Sequence, residues 1–271
     1  MQRIDISVVV PSFNKSKYVE EALRSILDQT GCRVQIIFVD AGSTDGTVEK
    51  AQSLFDSALA QARIKSGWDI IRIVEPDKGQ SHAINKGLLR ATGDIVCWLN
   101  ADDLYRESAL QRVASHFQAN PDVGLLYGDL DTIDENGKTT GTRRPRPWNR
   151  PQLLDSYCYM PQPATFWRRE LIALAGLLDV GLYYAMDYDY WLRLSRYTKV
   201  AKVDHVLAAI RLMDGTKTGT SPLNAMPEAL RVARRHGARY LSKFRIAYWL
   251  WRIGAHGLVR WAAKRTSWSP L

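Results

Sequence analysis

The sequence predicts an α/β fold: a Rossmann-like, mostly parallel sheet flanked by helices, followed by a C-terminal helical extension. Three observations predict it. Over the first hundred residues, short apolar runs alternate with amphipathic stretches at the spacing of βαβ units. Those runs are rich in Val and Ile with no polar face, as expected of strands covered on both sides. The chain has 271 residues, 46% hydrophobic and 24% charged, which is the usage of a folded domain with a sizeable core and excludes a disordered, collagenous or coiled-coil chain.

Each element follows from its own pattern. Ile6 to Pro11 reads as the first buried strand. Ser16 to Gln29 reads as a helix with Tyr18, Val19, Ala22, Leu23, Ile26 and Leu27 turned inward at helical spacing. Val34 to Val39 is the second strand, and Thr44 or Asp45 caps a helix running to about Ala60 by accepting from free first-turn amides. Ile70 to Val74 is the third strand, Ser81 to Ala91 the third helix and Asp94 to Leu99 the fourth strand. Further on, Val123 to Ile133 is a strand entering a hairpin at Asp134-Glu-Asn-Gly-Lys138, where Asn-Gly suits a tight turn. Arg143 to Trp148 is a proline-broken loop, Ala164 to Arg168 a strand, Asp187 to Arg196 a helix and Val203 to Leu212 a final strand. No repeat or low-complexity segment is present.

Charge is distributed unevenly. The chain carries 37 Lys and Arg against 28 Asp and Glu, a net +9. Ten of the basic residues fall in 231–271, which contains no Asp or Glu, so the other 230 residues hold 27 basic and 28 acidic groups, net −1. A near-neutral body does not provide the basic groove of a nucleic-acid reader, and no nucleic acid is expected as partner. The three cysteines, Cys32, Cys97 and Cys158, are too few and too scattered for a disulfide framework or a paired-cysteine zinc site. Met1 to Asp5 lead straight into the first strand without a signal-peptide pattern, and no run of about 18 apolar residues occurs, so a cytoplasmic location is expected.

Polar residues follow four strands in turn: Ser12 and Asn14, then Asp40, then Asp77, then Asn100, Asp102 and Asp103. In open α/β sheets, ligands bind beyond the carboxyl ends of the strands, so three groups of carboxylates are expected to converge on one crevice. Clustered like charge calls for a compensating cation or a donor-rich ligand, such as a divalent metal with a ribose. Taken singly, each segment has a structural alternative: a turn with its cap at 40–46, a loop at 75–79 and a helix-entry cap at 100–103. Their occurrence together at matching positions carries the argument. Neither a Gly-x-Gly-x-x-Gly after the first strand nor a Gly-Lys-Ser/Thr loop is present, which removes dinucleotide oxidoreductases and P-loop enzymes.

Four blocks, Ser7-Val-Val-Val-Pro-Ser-Phe-Asn14, Phe38-Val-Asp-Ala-Gly-Ser-Thr-Asp-Gly46, Glu75-Pro-Asp-Lys-Gly-Gln80 through Ala83-Ile-Asn-Lys-Gly87 to Ala91-Thr-Gly-Asp94, and Leu99-Asn-Ala-Asp-Asp103, strongly resemble glycosyltransferase family 2 in order and spacing. Weaker likeness extends over roughly residues 5–210. The resemblance implies a GT-A type fold and a nucleotide-sugar transferase, usually inverting, that uses Mn²⁺ or Mg²⁺. It also implies that Pro11, Ser12, Phe13 and Asp40 meet the nucleotide, with Asp77 and Lys78 nearby. Asn100-Ala101-Asp102 stands at the family's Asp-x-Asp motif: Asp102 matches the metal ligand, and Asn100 replaces the first Asp. Asp103 is expected as an anchor or cap.

In the second half, Tyr183-Tyr-Ala-Met-Asp187-Tyr-Asp189-Tyr-Trp191 resembles the family's acceptor-side segment, with Asp187 at the presumed general base and Met186 in place of a Glu. Capping of the following helix is the structural alternative for Asp187, and Asp189 is a second candidate for that task. Gln162 and Trp191 are assigned to the acceptor side, and Arg211 and Lys217 to the diphosphate, with Met213 standing where the family often has His. The domain reading is a catalytic domain at 1–220, with a nucleotide-binding half at 1–103 and an acceptor-side half at 104–220, then a basic amphipathic helical tail at 221–271.

At about 100° per residue, Arg245, Arg252, His256, Arg260 and Lys264 share one arc of the tail, opposite Phe244, Tyr248, Trp251, Leu258 and Val259. Four of the nine Trp, namely Trp249, Trp251, Trp261 and Trp268, lie in this segment. That combination suits a helix lying on an anionic membrane surface, at the inner face of the cytoplasmic membrane. The alternative is packing on the catalytic domain or on the partner in a homodimer. The expected function is transfer of a sugar from a nucleotide-sugar donor, UDP-linked in the first instance, to a glycan or lipid-linked acceptor in cell-envelope polysaccharide synthesis. A non-catalytic nucleotide-sugar-binding scaffold of the same fold is the alternative.

Overall fold

A computed structural model describes residues 4–155, 158–213, 222–238 and 249. The first half runs β1 (Asp5–Ser12), α1 (Val19–Leu27), β2 (Arg33–Asp40), α2 (Thr47–Phe55), α3 (Ala58–Lys65), β3 (Asp69–Val74), α4 (Gln80–Leu88) and β4 (Ile95–Trp98). The second half runs β5 (Leu104–Tyr105), α5 (Ala109–Ala119), β6 (Val123–Ile133), β7 (Thr139–Arg143), α6 (Arg150–Asp155), β8 (Thr165–Arg168), α7 (Leu171–Ala175), α8 (Met186–Leu194), β9 (Lys199–Arg211) and α9 (Pro222–Arg235). One sheet joins them in the order β3-β2-β1-β4-β8-β6-β9-β5, with β7 paired to β6. The first four strands are mutually parallel. The order reverses direction at β8, which is antiparallel to both β4 and β6, while β9 returns parallel to β6.

In α1, Val19, Ala22, Leu23, Ile26 and Leu27 are buried. The helix expected to reach Ala60 instead stops at Phe55, because Ser57 turns extended and starts α3, accepting from the Ala60 amide at 3.3 Å. Gly46 occupies the N-cap of α2 at φ 90°, a left-handed geometry that glycine adopts without strain, and Asp45 caps from one residue earlier by accepting from the Thr47 amide at 3.1 Å. In α4, Gly87 allows the helix to lie against β1: a Cβ there would stand 2.3 Å from Val9 Cγ1.

The core is a large apolar cluster whose centre is aromatic, with a small second cluster of Leu104, Ile133 and Ala209. Trp98 on β4 stacks on Trp191 of α8 with centroids 5.2 Å apart and meets Trp167 of β8 edge-on at 5.6 Å. All three rings are buried, so the seam between the two halves is hydrocarbon and indole. Helix α9 joins this cluster through Met226, Ala229, Val232 and Ala233. The sequence reading puts α9 in the tail that starts at 221; in the fold this helix packs on α8. The amphipathic reading of residues 244–264 lies outside the described residues, apart from Trp249. No helix among the described residues is long and apolar enough to cross a membrane.

Candidate active site

Three of the four strand ends are tied together by short polar bonds. The loop after β1 is fixed to the loop after β2: the Asn14 amide donates to Ser43 Oγ at 2.8 Å, the Lys15 amide to Thr47 Oγ1 at 2.8 Å and the Ser16 amide to Asp45 Oδ2 at 3.0 Å. Asn14 sits at φ 49°, and its side-chain oxygen accepts from the Thr44 amide at 3.1 Å, a local bond that suits Asn to this left-handed position. Burial pushes the Asp45 carboxyl up, but bonds from Thr47 and Ser16 outweigh it and hold the group down at about 2. The end of β4 joins the same corner, since Lys15 Nζ lies 2.6 Å from Asp102 Oδ2.

Beside it, Asn100 is the hub of an amide chain. Its oxygen accepts from Gln80 Nε2 at 2.7 Å, and its nitrogen donates to Asp103 Oδ2 at 2.9 Å and Gln162 Oε1 at 3.1 Å. Gln162 in turn donates to the Trp98 carbonyl at 2.8 Å. An aspartate at position 100 would turn its oxygens on both Asp103 and Gln162 Oε1, which explains in physical terms why a neutral amide stands here. Asp103 is buried and accepts from the Arg211 amide at 3.0 Å, so it anchors β9 to the end of β4, as one of the two sequence readings had it. Burial, with Asp102 beside it, pushes this carboxyl up to about 8.

Other expected residues take different places. Ser12 is buried, with its hydroxyl lacking a hydrogen-bond partner among the described residues. Phe13 is 57% exposed and Ala101 is buried beneath the loop. Asp40 is fully buried, and its oxygens accept from the Gly42 amide, the Ser43 amide and Ser43 Oγ at 2.7–3.0 Å. The bonds seen for Asp40 are those of the turn alternative: it shapes the loop that follows β2. Asp77 accepts from the Gly79 amide within its own loop at 2.7 Å, and Lys78 is exposed. The expected pool of uncompensated carboxylates is corrected accordingly, since Asp40, Asp45 and Asp102 each find amide, hydroxyl or ammonium partners in the protein itself.

Two further assignments change. The Arg211 side chain is fully buried: its guanidinium donates to the carbonyls of Asp102, Asp134 and Glu135 and pairs with Glu21 at 2.6 Å. It braces the Asp102 loop from behind and does not reach toward a diphosphate. Trp191 is likewise enclosed by Trp98, Trp167 and Tyr190, so its ring supports the seam and offers no surface to an acceptor. Lys217 lies outside the described residues.

Asp187 is half-buried in the first turn of α8, with its own carboxylate accepting from the Tyr188 amide at 2.7 Å. The start of α8 is brought to the start of α4, next to Gln80, by a contact of 2.9 Å between Ser81 Oγ and Met186 Sδ. Asp189 is not the cap. It is buried, accepts from Arg193 Nε at 2.8 Å and meets His236 Nε2 of the α9 end at 2.9 Å. Burial pushes its carboxyl up, but the bonds from His236 and Arg193 prevail and hold it below the ordinary value. The residues the sequence reading missed are Lys15 and Gln80. Lys15 had one visible signal, being a cation placed directly after Ser12-Phe13-Asn14 at a strand end.

For a divalent cation, this corner offers one suitable carboxylate among the described residues, Asp102, with Asn100 and Asp103 taken up by each other. No group of three or more His, Cys, Asp or Glu able to hold a metal gathers among the described residues. That donor set fits an ion shared with a bound diphosphate and water, the usual arrangement for Mg²⁺-like ions, and does not fit an all-protein cage.

Comparison with known proteins agrees with this geometry. The model of glycosyl transferase family 2 matches residues 7–170. An uncharacterized glycosyltransferase of Nostoc sp. is 33% identical over 182 residues, which are 64% of this chain and 54% of the relative, so the chain spans about half of that protein's length. A PGL/p-HBAD biosynthesis glycosyltransferase of Mycobacterium bovis is 30% identical, covering 75% of each chain. Among solved structures, S. aureus TarS 1–349 with UDP-GlcNAc superposes with a TM-score of 0.65 at 17% identity, covering 90% of this chain and 70% of that one. The mannosyltransferase PcManGT of Pyrobaculum calidifontis, with GDP-Man and Mn²⁺, gives 0.66 at 19% identity, covering 100% and 77%. Since the family model matches residues 7–170, more than half of the chain, and the solved structures share its GT-A fold, the chain belongs to glycosyltransferase family 2.

Proposed function

We propose that the protein transfers a sugar from a nucleotide-sugar donor to a hydroxyl of a glycan or lipid-linked acceptor, with inversion at the anomeric carbon. The observation that carries this reading is the meeting of two sets of groups at one corner. The Lys15–Asp102 pair and the Asn100–Gln80–Gln162 chain lie at the ends of β1 and β4, and the first turn of α8 abuts α4 beside them. The first set suits a nucleoside diphosphate, and Asp187 in the first turn of α8 is the carboxylate we assign to its sugar. A UDP-linked donor is the first expectation, supported by the likeness to a TarS complex that holds UDP-GlcNAc, while the PcManGT complex with GDP-Man makes GDP-linked donors the second arm of the test.

In the proposed step, Asp187 takes the acceptor hydroxyl's proton as that oxygen bonds to the anomeric carbon. The bond from that carbon to the diphosphate oxygen breaks, and its electron pair leaves with the nucleoside diphosphate. Asp102 would hold a Mn²⁺ or Mg²⁺ ion, which when bound stabilises negative charge on the leaving diphosphate. Ser12 and the exposed Phe13 line the nucleotide side. Asn100, oriented by three hydrogen bonds, keeps the loop carrying Asp102 in place.

The test is release of nucleoside diphosphate from a panel of UDP- and GDP-sugars with Mn²⁺ and candidate acceptors. Asp187→Asn is expected to lower kcat by about 10²–10⁴ while leaving donor affinity unchanged. Donor binding without turnover in the unaltered protein would establish the scaffold reading in its place.

A further inference from the structure

The β1–α1 loop holds its backbone firmly and leaves one long side chain to move. The Lys15 amide is fixed to Thr47 Oγ1 at 2.8 Å, and the Lys15 carbonyl accepts from the Tyr18 and Val19 amides at 2.9 Å. From this fixed base, the ammonium reaches across to β4 and bonds Asp102 Oδ2 at 2.6 Å, with 31% of the Lys15 side chain and 13% of the Asp102 side chain exposed. The pair lies at the surface of the crevice and is not sealed in the core, so the lysine's flexible four-carbon stem can re-aim without unfolding anything.

The charge count at this corner is what matters. Position 100 is neutral and Asp103 is buried behind Asn100, so Asp102 supplies the one accessible negative charge, and Lys15 already neutralises it. A divalent ion bound to the same oxygen at about 2.1 Å would lie within roughly 5 Å of the ammonium, with one carboxylate answering three positive charges. The two cations cannot share Asp102 comfortably. A diphosphate relieves the conflict by bringing negative oxygens for both.

We infer that Lys15 is a resident counter-cation that competes with the divalent ion for Asp102, so that the metal is admitted together with a diphosphate and not ahead of it. When the pair opens, the ammonium transfers to the diphosphate. Lys15 is therefore a positioning residue that couples metal and donor binding, and by linkage each ligand raises the affinity for the other by the same factor. This inference rests on the metal-assisted reading proposed above, but its readout is binding and needs no turnover.

The experiment is titration of the full chain with Mn²⁺, followed by electron paramagnetic resonance of the free ion, with no nucleotide, with UDP and with GDP. Lys15→Met is expected to bind Mn²⁺ alone at least about tenfold more tightly than the unaltered protein, and to show a smaller gain on adding the nucleotide. Lys15→Gln, polar and uncharged, is expected to behave as Lys15→Met does, and Lys15→Arg to keep the weak affinity for Mn²⁺ alone. Adding Asp102→Asn to Lys15→Met is expected to abolish the tight binding. Equal or weaker Mn²⁺ binding by both neutral variants, with circular dichroism unchanged, overturns the inference, as does tight binding that survives Asp102→Asn. Absence of turnover with every donor, alongside tighter Mn²⁺ binding by the neutral variants, would sink the transferase reading and leave this one standing.

Discussion

Around β1 and β2, segments 29 to 32 residues apart are joined by amide-to-side-chain bonds: Asn14 to Ser43, Lys15 to Thr47 and Ser16 to Asp45. Around α8, the joins span 44 to 105 residues: Ser81 to Met186, Asp189 to His236, and the Tyr184 amide to Glu228. The first region is polar, built from neighbouring βα loops and set by residues whose side chains mimic backbone. The second is an aromatic seam with carboxylates clamped from a helix near the far end of the chain. The first region thus gets its shape from local chemistry, and the second gets its shape from packing that exists only when the whole body is assembled.

Breaking the seam should have the largest effect. Trp98→Ala removes a fully buried indole that contacts both Trp191 and Trp167, and is expected to cost about 3–5 kcal/mol in urea unfolding. Trp191→Phe sharpens the point: stability should fall while acceptor KM stays unchanged, and a raised KM at full stability would restore Trp191 to the acceptor side. Next comes the clamp on α9. Asp189→Asn leaves Arg193 and His236 without their carboxylate and is expected to cost about 3 kcal/mol. Because the Asp189 carboxyl is held below its ordinary value, its contribution is full above the unfolded-state value near 4 and declines as pH falls toward the folded value. Unfolding free energy measured from pH 7 to pH 3 should show this decline in the unaltered protein and lose that component in Asp189→Asn. The smallest effect belongs to the polar region: Asp45→Ala removes the cap of α2 and the tie to Ser16, for about 1 kcal/mol, with donor affinity reduced because the β1–α1 loop loosens.

The same contrast governs what the sequence could reveal. β1, β2 and β4 were legible because cover on both faces makes them continuous apolar runs, α1 because burial imposes a helical period on its residues, and the strand-end blocks because each lies within one loop. α5 carried an equally plain pattern in Leu110, Val113, Ala114 and Phe117, and that signal was passed over. What could not be read were pairings set by tertiary approach. Whether Asp40 faces a ligand or its own turn, whether Arg211 reaches outward or braces a loop, and whether Trp191 is surface or seam all depend on what stands opposite. Lys15 belongs with these, since its meaning comes from Asp102, 87 residues away. The packing of α9 on the body is of the same kind, since it runs through His236 while the sequence shows only a change of composition at about residue 231.

The helix that carries Asp187 has no side-chain cap of its own. Glu228, in α9, accepts from the Tyr184 and Ala185 amides at 2.9 and 2.8 Å and places a negative charge at the positive end of α8. During synthesis from the N-terminus, the ties between the loops after β1 and β2 have both partners once Thr47 has emerged, whereas the first turn of α8 waits for a segment made more than forty residues later. A ribosome-bound chain halted before Glu228 would therefore hold finished β1–β2 loop ties beside an α8 whose first amides still lack their carboxylate.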